Sequence, residues 1–227
     1  ARITHENGQA AWGAAAEMLV PKWFDKNPEL SNDENFDQLR SALAGARDLY
    51  LDAEPMTAYG LMAKTYQPQR DDCARQGLNP LVAGYGPALL DRAVLDALCR
   101  MENVSFYDAI RNNLPAIAPD AIAPDLADFQ MNGFLSALKP QDSLHARHTV
   151  GLVDQLNSAE TRVDDGLPET LEEVIAAYGH RWFKIKIGGE IDADLDRLQA
   201  IASVLDSALD EYAVSLDGNE QFNDVDG

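Results

Sequence analysis

The sequence predicts an α/β fold in two parts: an α+β segment, then a run of parallel strand–helix units. Three observations carry this reading. From His145 onward, short apolar runs suited to strands (His148 to Val153, Arg181 to Ile187, Tyr212 to Leu216) alternate with amphipathic stretches (Pro168 to Tyr178, Asp192 to Asp210). Strand–helix repeats of this size imply a parallel sheet with crossover helices. Ahead of them, helical spacing dominates, and the chain begins with a hairpin signal.

The elements follow in order. Ala1 to Glu6 and Gln9 to Glu17 flank Asn7-Gly8, a dipeptide suited to the positive φ angles of a tight turn. Phe36, Leu39, Leu43, Ala46 and Tyr50 recur every three or four residues and share one helical face, with Asn32 or Asp33 as the expected cap. Pro87 to Met101 is apolar around most of its circumference, as a buried helix would be. Its polar exceptions are Asp91, Arg92 and Asp96, and the two aspartates are expected to pair with basic residues. Ser105 to Arg111 reads as one more short helix. Between Asn112 and Asp142 the string AIAPD occurs twice in tandem, at Ala116 to Asp120 and Ala121 to Asp125. Its prolines block a continuous helix and favour extended backbone. The expected organisation is therefore 1–112, a connector at 113–144, and a strand–helix domain at 145–227. The stripe Leu195, Leu198, Ala202, Leu205 and Leu209 is the expected buried face of the last helix.

Charge and composition narrow the function. The 38 acidic against 18 basic residues leave a net charge of −20, which repels nucleic acid and anionic membrane surfaces, so neither is an expected partner. No apolar run is long enough to span a bilayer. The N-terminal residues lack the pattern of a secretory signal. Cys73 and Cys99 have no metal-type spacing, and a reducing, cytoplasmic setting is expected.

The chemistry concentrates at the ends of the last two strands. In Lys184-Ile185-Lys186 the period of a strand sends both lysines to one face. Two ammonium groups there repel, which favours a neutral amine, and a neutral amine is a base. One strand later, Asp217 in Asp217-Gly218-Asn219 offers a hard oxygen suited to Mg²⁺. A base beside a metal-held carboxylate is the equipment for removing a proton from carbon. The lysines alone would read as a solvated strand face, but a central strand flanked on both sides gives such a pair no solvent to face. Other patterns carry less. Asp217 to Phe222 fails as a calcium loop because Phe222 stands where glycine is required. Asp192, Asp194 and Asp196 suit the N-terminus of a helix. His145, His148 and His180 read as polar residues near strand entrances, and Trp12, Trp23 and Trp182 as core or interface residues.

Two parallel architectures compete. No glycine-rich phosphate fingerprint follows the first strand, against a dinucleotide fold. Polar residues at the carboxyl ends of the second and third strands favour a (β/α)₈ barrel, where chemistry sits on that face. A barrel needs eight strands and the chain has room for three, so further polypeptide is expected in the working protein.

These motifs resemble those of the enolase superfamily, in its mandelate racemase and muconate lactonizing enzyme branch. The hairpin ending Gln9-Ala10-Ala11-Trp12-Gly13 and the helix Leu89 to Leu98 resemble the family's capping domain. His148-Thr149-Val150-Gly151 resembles its first barrel strand, Lys184-Ile185-Lys186 its K-x-K, and Asp217-Gly218-Asn219 its D-x-N. The resemblance implies an α+β capping domain followed by the first three βα units of a (β/α)₈ barrel. It also implies a lyase or isomerase acting on a small-molecule carboxylate, homo-oligomeric at full length, with this fragment inactive in isolation. Lys186 would move the proton α to the carboxylate, with Lys184 tuning it and helping to hold the carboxylate. Asp217 would be the first of three carboxylate ligands to Mg²⁺, and Asn219 would bind substrate. The other two ligands and the second acid/base, which separates racemases, dehydratases and cycloisomerases, belong on later strands. The alternatives are a non-catalytic binding protein on the same scaffold and a barrel lyase using Lys186 as a Schiff base.

Overall fold

The computed structural model describes residues 1–18, 20–157, 162–163 and 165–218, which divide into two compact units, Ala1–Lys139 and Pro140–Gly227.

In the first unit, β1 (Arg2–Thr4) and β2 (Ala10–Trp12) pair antiparallel with Ile3 opposite Ala11. The turn uses three residues rather than two. His5 N donates to Gln9 O, Gly8 N donates to His5 O, and only Gly8 takes a positive φ, +88°. That is the left-handed position for which such turns select glycine.

Five helices follow: α1 (Pro21–Phe24), α2 (Asn32–Asp52), α3 (Ala58–Arg75), α4 (Pro80–Glu102) and α5 (Phe106–Arg111). The cap of α2 is Ser31, not Asn32 or Asp33. Ser31 accepts from Glu34 N while Ser31 N donates to the Glu34 carboxylate at 2.7 Å, a reciprocal capping box. Helix α4 begins earlier than its apolar run suggests, at Pro80, where the missing N–H costs nothing. Asn79 accepts there from Leu81 N and Val82 N, and Pro87 is absorbed inside the helix. Helix α3 gives no aliphatic signal. Its buried residues are Thr65, Gln69 and Cys73, a stripe at helical spacing made of polar and small side chains.

Helices α2, α3 and α4 pack on one another, and the hairpin lies on α4. Their core holds Leu39, Ala42, Cys73, Val82, Ala83 and Tyr85. Gln69 Nε2 ties all three helices together, donating to Ala42 O at 2.9 Å and to Ala83 O at 3.2 Å. Close approach is set by glycine at two points. A Cβ on Gly86 would lie 2.5 Å from Ala42 O, and one on Gly13 would lie 2.1 Å from Ala93 O and 2.2 Å from Ala97 N. Asp96 pairs within its own helix with Arg100 Nε at 2.9 Å and accepts from Ala14 N, whereas no basic partner of Asp91 is found among the described residues. Trp12 and Trp23 are 71% and 60% exposed, so neither is a core residue. The AIAPD repeats are not extended. Each folds into one 3₁₀ turn opened by its proline, Pro119–Ala121 and Pro124–Leu126, and α6 (Met131–Ser136) follows.

In the second unit, β3 (Arg147–Val150), β4 (Trp182–Lys186) and β5 (Ala213–Asp217) form a parallel sheet in the order β3-β4-β5. Helix α7 (Leu171–Tyr178) joins the first pair and α8 (Ile191–Ala208) the second. Thr170 caps α7, and Gly179 at φ +64° ends it. Val150, Phe183 and Ile185 pack against Leu171 and Ile175 of α7 and Ile201, Val204 and Leu205 of α8. The expected stripe of α8 packs into this core at Leu198, Leu205 and Leu209, joined by Ile201 and Val204, whereas Leu195 is 51% exposed. The fold is mixed α/β with a small parallel sheet. Among the described residues the sheet is open at β5 and does not close into a barrel.

Gly13→Ala should destabilise the first unit by about 1–3 kcal/mol, because the new methyl group meets helix backbone that cannot move aside locally. Chemical denaturation followed by circular dichroism measures it, and unchanged stability would mean that the hairpin is free to lift from α4.

Candidate functional site

The site is built on β4. With Phe183 and Ile185 committed to the core, at 1% and 3% exposure, Lys184 and Lys186 must emerge on the opposite face. Parallel register then places Thr149 and Ser215 beside Lys184, and Asp217 beside Lys186. Asp217 Oδ2 accepts from both ammonium groups, lying 2.8 Å from Lys184 Nζ and 3.3 Å from Lys186 Nζ. The three side chains are about three-quarters buried, so this contact is less screened than a surface pair. Asp217 therefore offsets the repulsion expected between the lysines. The structure brings together three of the four residues predicted from the sequence. The fourth, Asn219, lies outside the described residues.

Arg147 extends the charged face, its Nη1 donating to Ser215 Oγ at 3.3 Å. Arg147, Lys184 and Lys186 against Asp217 make this face locally cationic in a chain of net charge −20. Such a patch favours an anionic ligand. Alternation alone could have found Arg147, Thr149 and Ser215, since each stands two residues from the next outward-facing position on its strand.

Helix α8 organises the loops at the carboxyl ends of β3 and β4. Asp194 accepts from Gly188 N and Gly189 N, both at 2.8 Å, which fixes the turn immediately after Lys186. Arg197 Nη2 donates to Gly151 O and Asp154 O, both at 2.7 Å, and holds the loop after β3. Asp154 closes that loop on itself by accepting from Gly151 N at 2.7 Å. The two loops meet, since a Cβ on Gly188 would lie 3.8 Å from Leu152 Cδ2. Asp194 is thus more than a favourable charge at a helix terminus. Sequence reasoning missed Arg197, whose one signal is an arginine set between the apolar positions 195 and 198.

His145, His148 and His180 lie toward the amino ends of β3 and β4. His145 stacks on Trp182 with ring centroids 4.2 Å apart, and His148 lies 5.6 Å from His180. Burial, then the neighbouring His180, pushes the His148 imidazole below its ordinary value.

Asp217 suits one position in the oxygen shell of Mg²⁺. Among the described residues no group of three or more His, Cys, Asp or Glu is placed to hold a metal ion. Comparison of the chain with protein-family models, with curated proteins and with solved structures gives no match. The geometry of the site therefore carries the functional argument.

Asp217→Asn should cost about 1–2 kcal/mol of stability, between the values for exposed and fully buried pairs, because two lysines would lose a shared counter-charge. Adding Lys184→Met should recover part of the loss. Urea denaturation of the single and double variants measures this, and additive losses would show that the three groups are not coupled.

Proposed function

We propose that the charged face of the β3–β5 sheet is part of the site of an enolase-superfamily enzyme that removes a proton α to a carboxylate. The observation that carries this reading is the convergence of Lys184 and Lys186 on one oxygen of Asp217, at the carboxyl ends of adjacent parallel strands. In parallel α/β folds, ligands bind at that end.

The chain's own residues divide the work. Lys184 holds the substrate carboxylate by a charge-assisted hydrogen bond. Lys186 lets go of Asp217, takes the α-proton as its free amine, and can return it to carbon as the ammonium. Asp217 would supply one oxygen to Mg²⁺, and the ion would place positive charge beside the carboxylate oxygens as they gain negative charge. Arg197 and Asp194 hold the loops around the reacting carbon, which limits the motion that would misplace it. Asn219 would bind the substrate beside the developing enediolate. Racemisation, dehydration or cycloisomerisation can follow from that intermediate, with a racemase-like or acid-sugar dehydratase-like outcome. The face is cationic enough for a substrate carrying a carboxylate, and the lysines are too buried to be a merely solvated strand face.

The test is α-hydrogen exchange. A panel of 2-hydroxy and sugar acids is incubated with the whole protein in deuterated water, with and without Mg²⁺, and the α-proton signal is followed by NMR. At least one acid should lose that signal in a Mg²⁺-dependent way. Lys186→Ala should slow the loss by about 10²–10⁴-fold. Exchange undiminished in Lys186→Ala would remove the lysine from the role. A borohydride-trapped substrate adduct on Lys186 would replace proton abstraction with Schiff-base chemistry.

A further inference from the structure

Between α3 and α4 of the first unit lies a groove of about 270 Å³. Met62, Ala83, Pro87 and Ala88 make its walls largely apolar, and two charged residues, Arg70 and Asp91, also line it. Asp91 is half-buried, and no described residue gives it a hydrogen bond or an ion pair.

The neighbouring cations are committed elsewhere. Arg70 Nη1 donates to Tyr66 Oη at 2.9 Å, and its guanidinium stands 5.5 Å from the centre of the Tyr66 ring. On α4, Arg92 pairs with Glu17 at 3.0 Å and Arg100 with Asp96 at 2.9 Å. Toward α2 stands the Tyr50 phenol, its hydroxyl buried and close enough to feel the Asp91 charge. Burial pushes the Asp91 carboxyl above its ordinary value, and burial followed by the Asp91 charge pushes the Tyr50 phenol up to about 12. An unpaired carboxylate on an apolar wall costs free energy that a cationic occupant would offset.

We propose that this groove binds a small primary ammonium compound, its charged end on Asp91 and its short apolar body along Met62, Ala83 and Pro87. A metal ion fits less well, because one carboxylate supplies too few oxygens. The volume lies just below the 300–1,000 Å³ usual for drug-sized ligands, which limits the occupant to a few carbons. The net charge of −20 adds long-range attraction for a cation.

n-Butylammonium chloride is the probe and sodium butyrate its counter-probe, each titrated into the protein at neutral pH under two-dimensional NMR. Butylammonium should give saturable shifts around the groove, and butyrate none. Asp91→Asn should weaken binding by about tenfold or more. Gly84→Leu is the second variant, since a Cβ at Gly84 meets nothing within 4 Å and the new side chain enters the groove without displacing backbone. It should abolish the shifts while leaving the rest of the spectrum in place. The proposal is overturned by absence of saturable binding in the unaltered protein, by equal binding of butyrate, or by binding that survives both substitutions.

Discussion

Strand β4 imposes one constraint from which both the core and the candidate site of the second unit follow. Its side chains alternate, and the sheet has helices against one face. Phe183 and Ile185 fill the space between α7 and α8, so Lys184 and Lys186 have one direction left. A slip of one residue would drive two ammonium groups into that core and expel an aromatic ring, a change that burial energies of several kcal/mol forbid. The lysines are held in place by Phe183 and Ile185, the apolar residues that alternate with them. Their position is a consequence of packing before it is a feature of chemistry.

The first unit solves a different problem. Its elements approach so closely that side chains are excluded at two contacts, where Gly86 of α4 meets α2 and Gly13, just after β2, meets α4. Where the approach is close, backbone carbonyls face a neighbouring helix, and the Gln69 amide serves two of them. That one buried polar side chain contacts three helices through its own backbone and its two bonds. Asp91 is the opposite case, a charge with no ion-pair partner among the described residues, and it marks the groove proposed to bind an ammonium group.

In the second unit, Asp217 is what turns two parallel lysines into a constellation. It reaches them from the adjacent strand only because β4 and β5 run parallel in the register that sets Lys186 beside Asp217. The same carboxylate that quiets the lysines is the proposed metal ligand. Helix α8 completes the arrangement by fixing both neighbouring loops from its first two turns.

The local elements with strong periodicity were legible in the chain itself. The hairpin around Gly8, the amphipathic α2 and α8, the strands β3 to β5 and the shared face of Lys184 and Lys186 all follow from periods of 2 and 3.6 and from turn chemistry. The Ser31 cap was legible too, through the glutamate three residues on, although nearer candidates concealed it. Helix α3 was not, because its buried stripe is Thr65, Gln69 and Cys73, polar and small side chains that hydrophobic periodicity does not register. The AIAPD turns escaped for a related reason: proline forbids a helix interior but is welcome at its first position, and only the surrounding chain decides which applies. Sequence fixed which residues share a face of one element. Tertiary structure decided which elements meet, and with them the Asp217 contact, the Arg197 clamp and the unpaired Asp91, because those depend on register and packing between segments far apart in the chain.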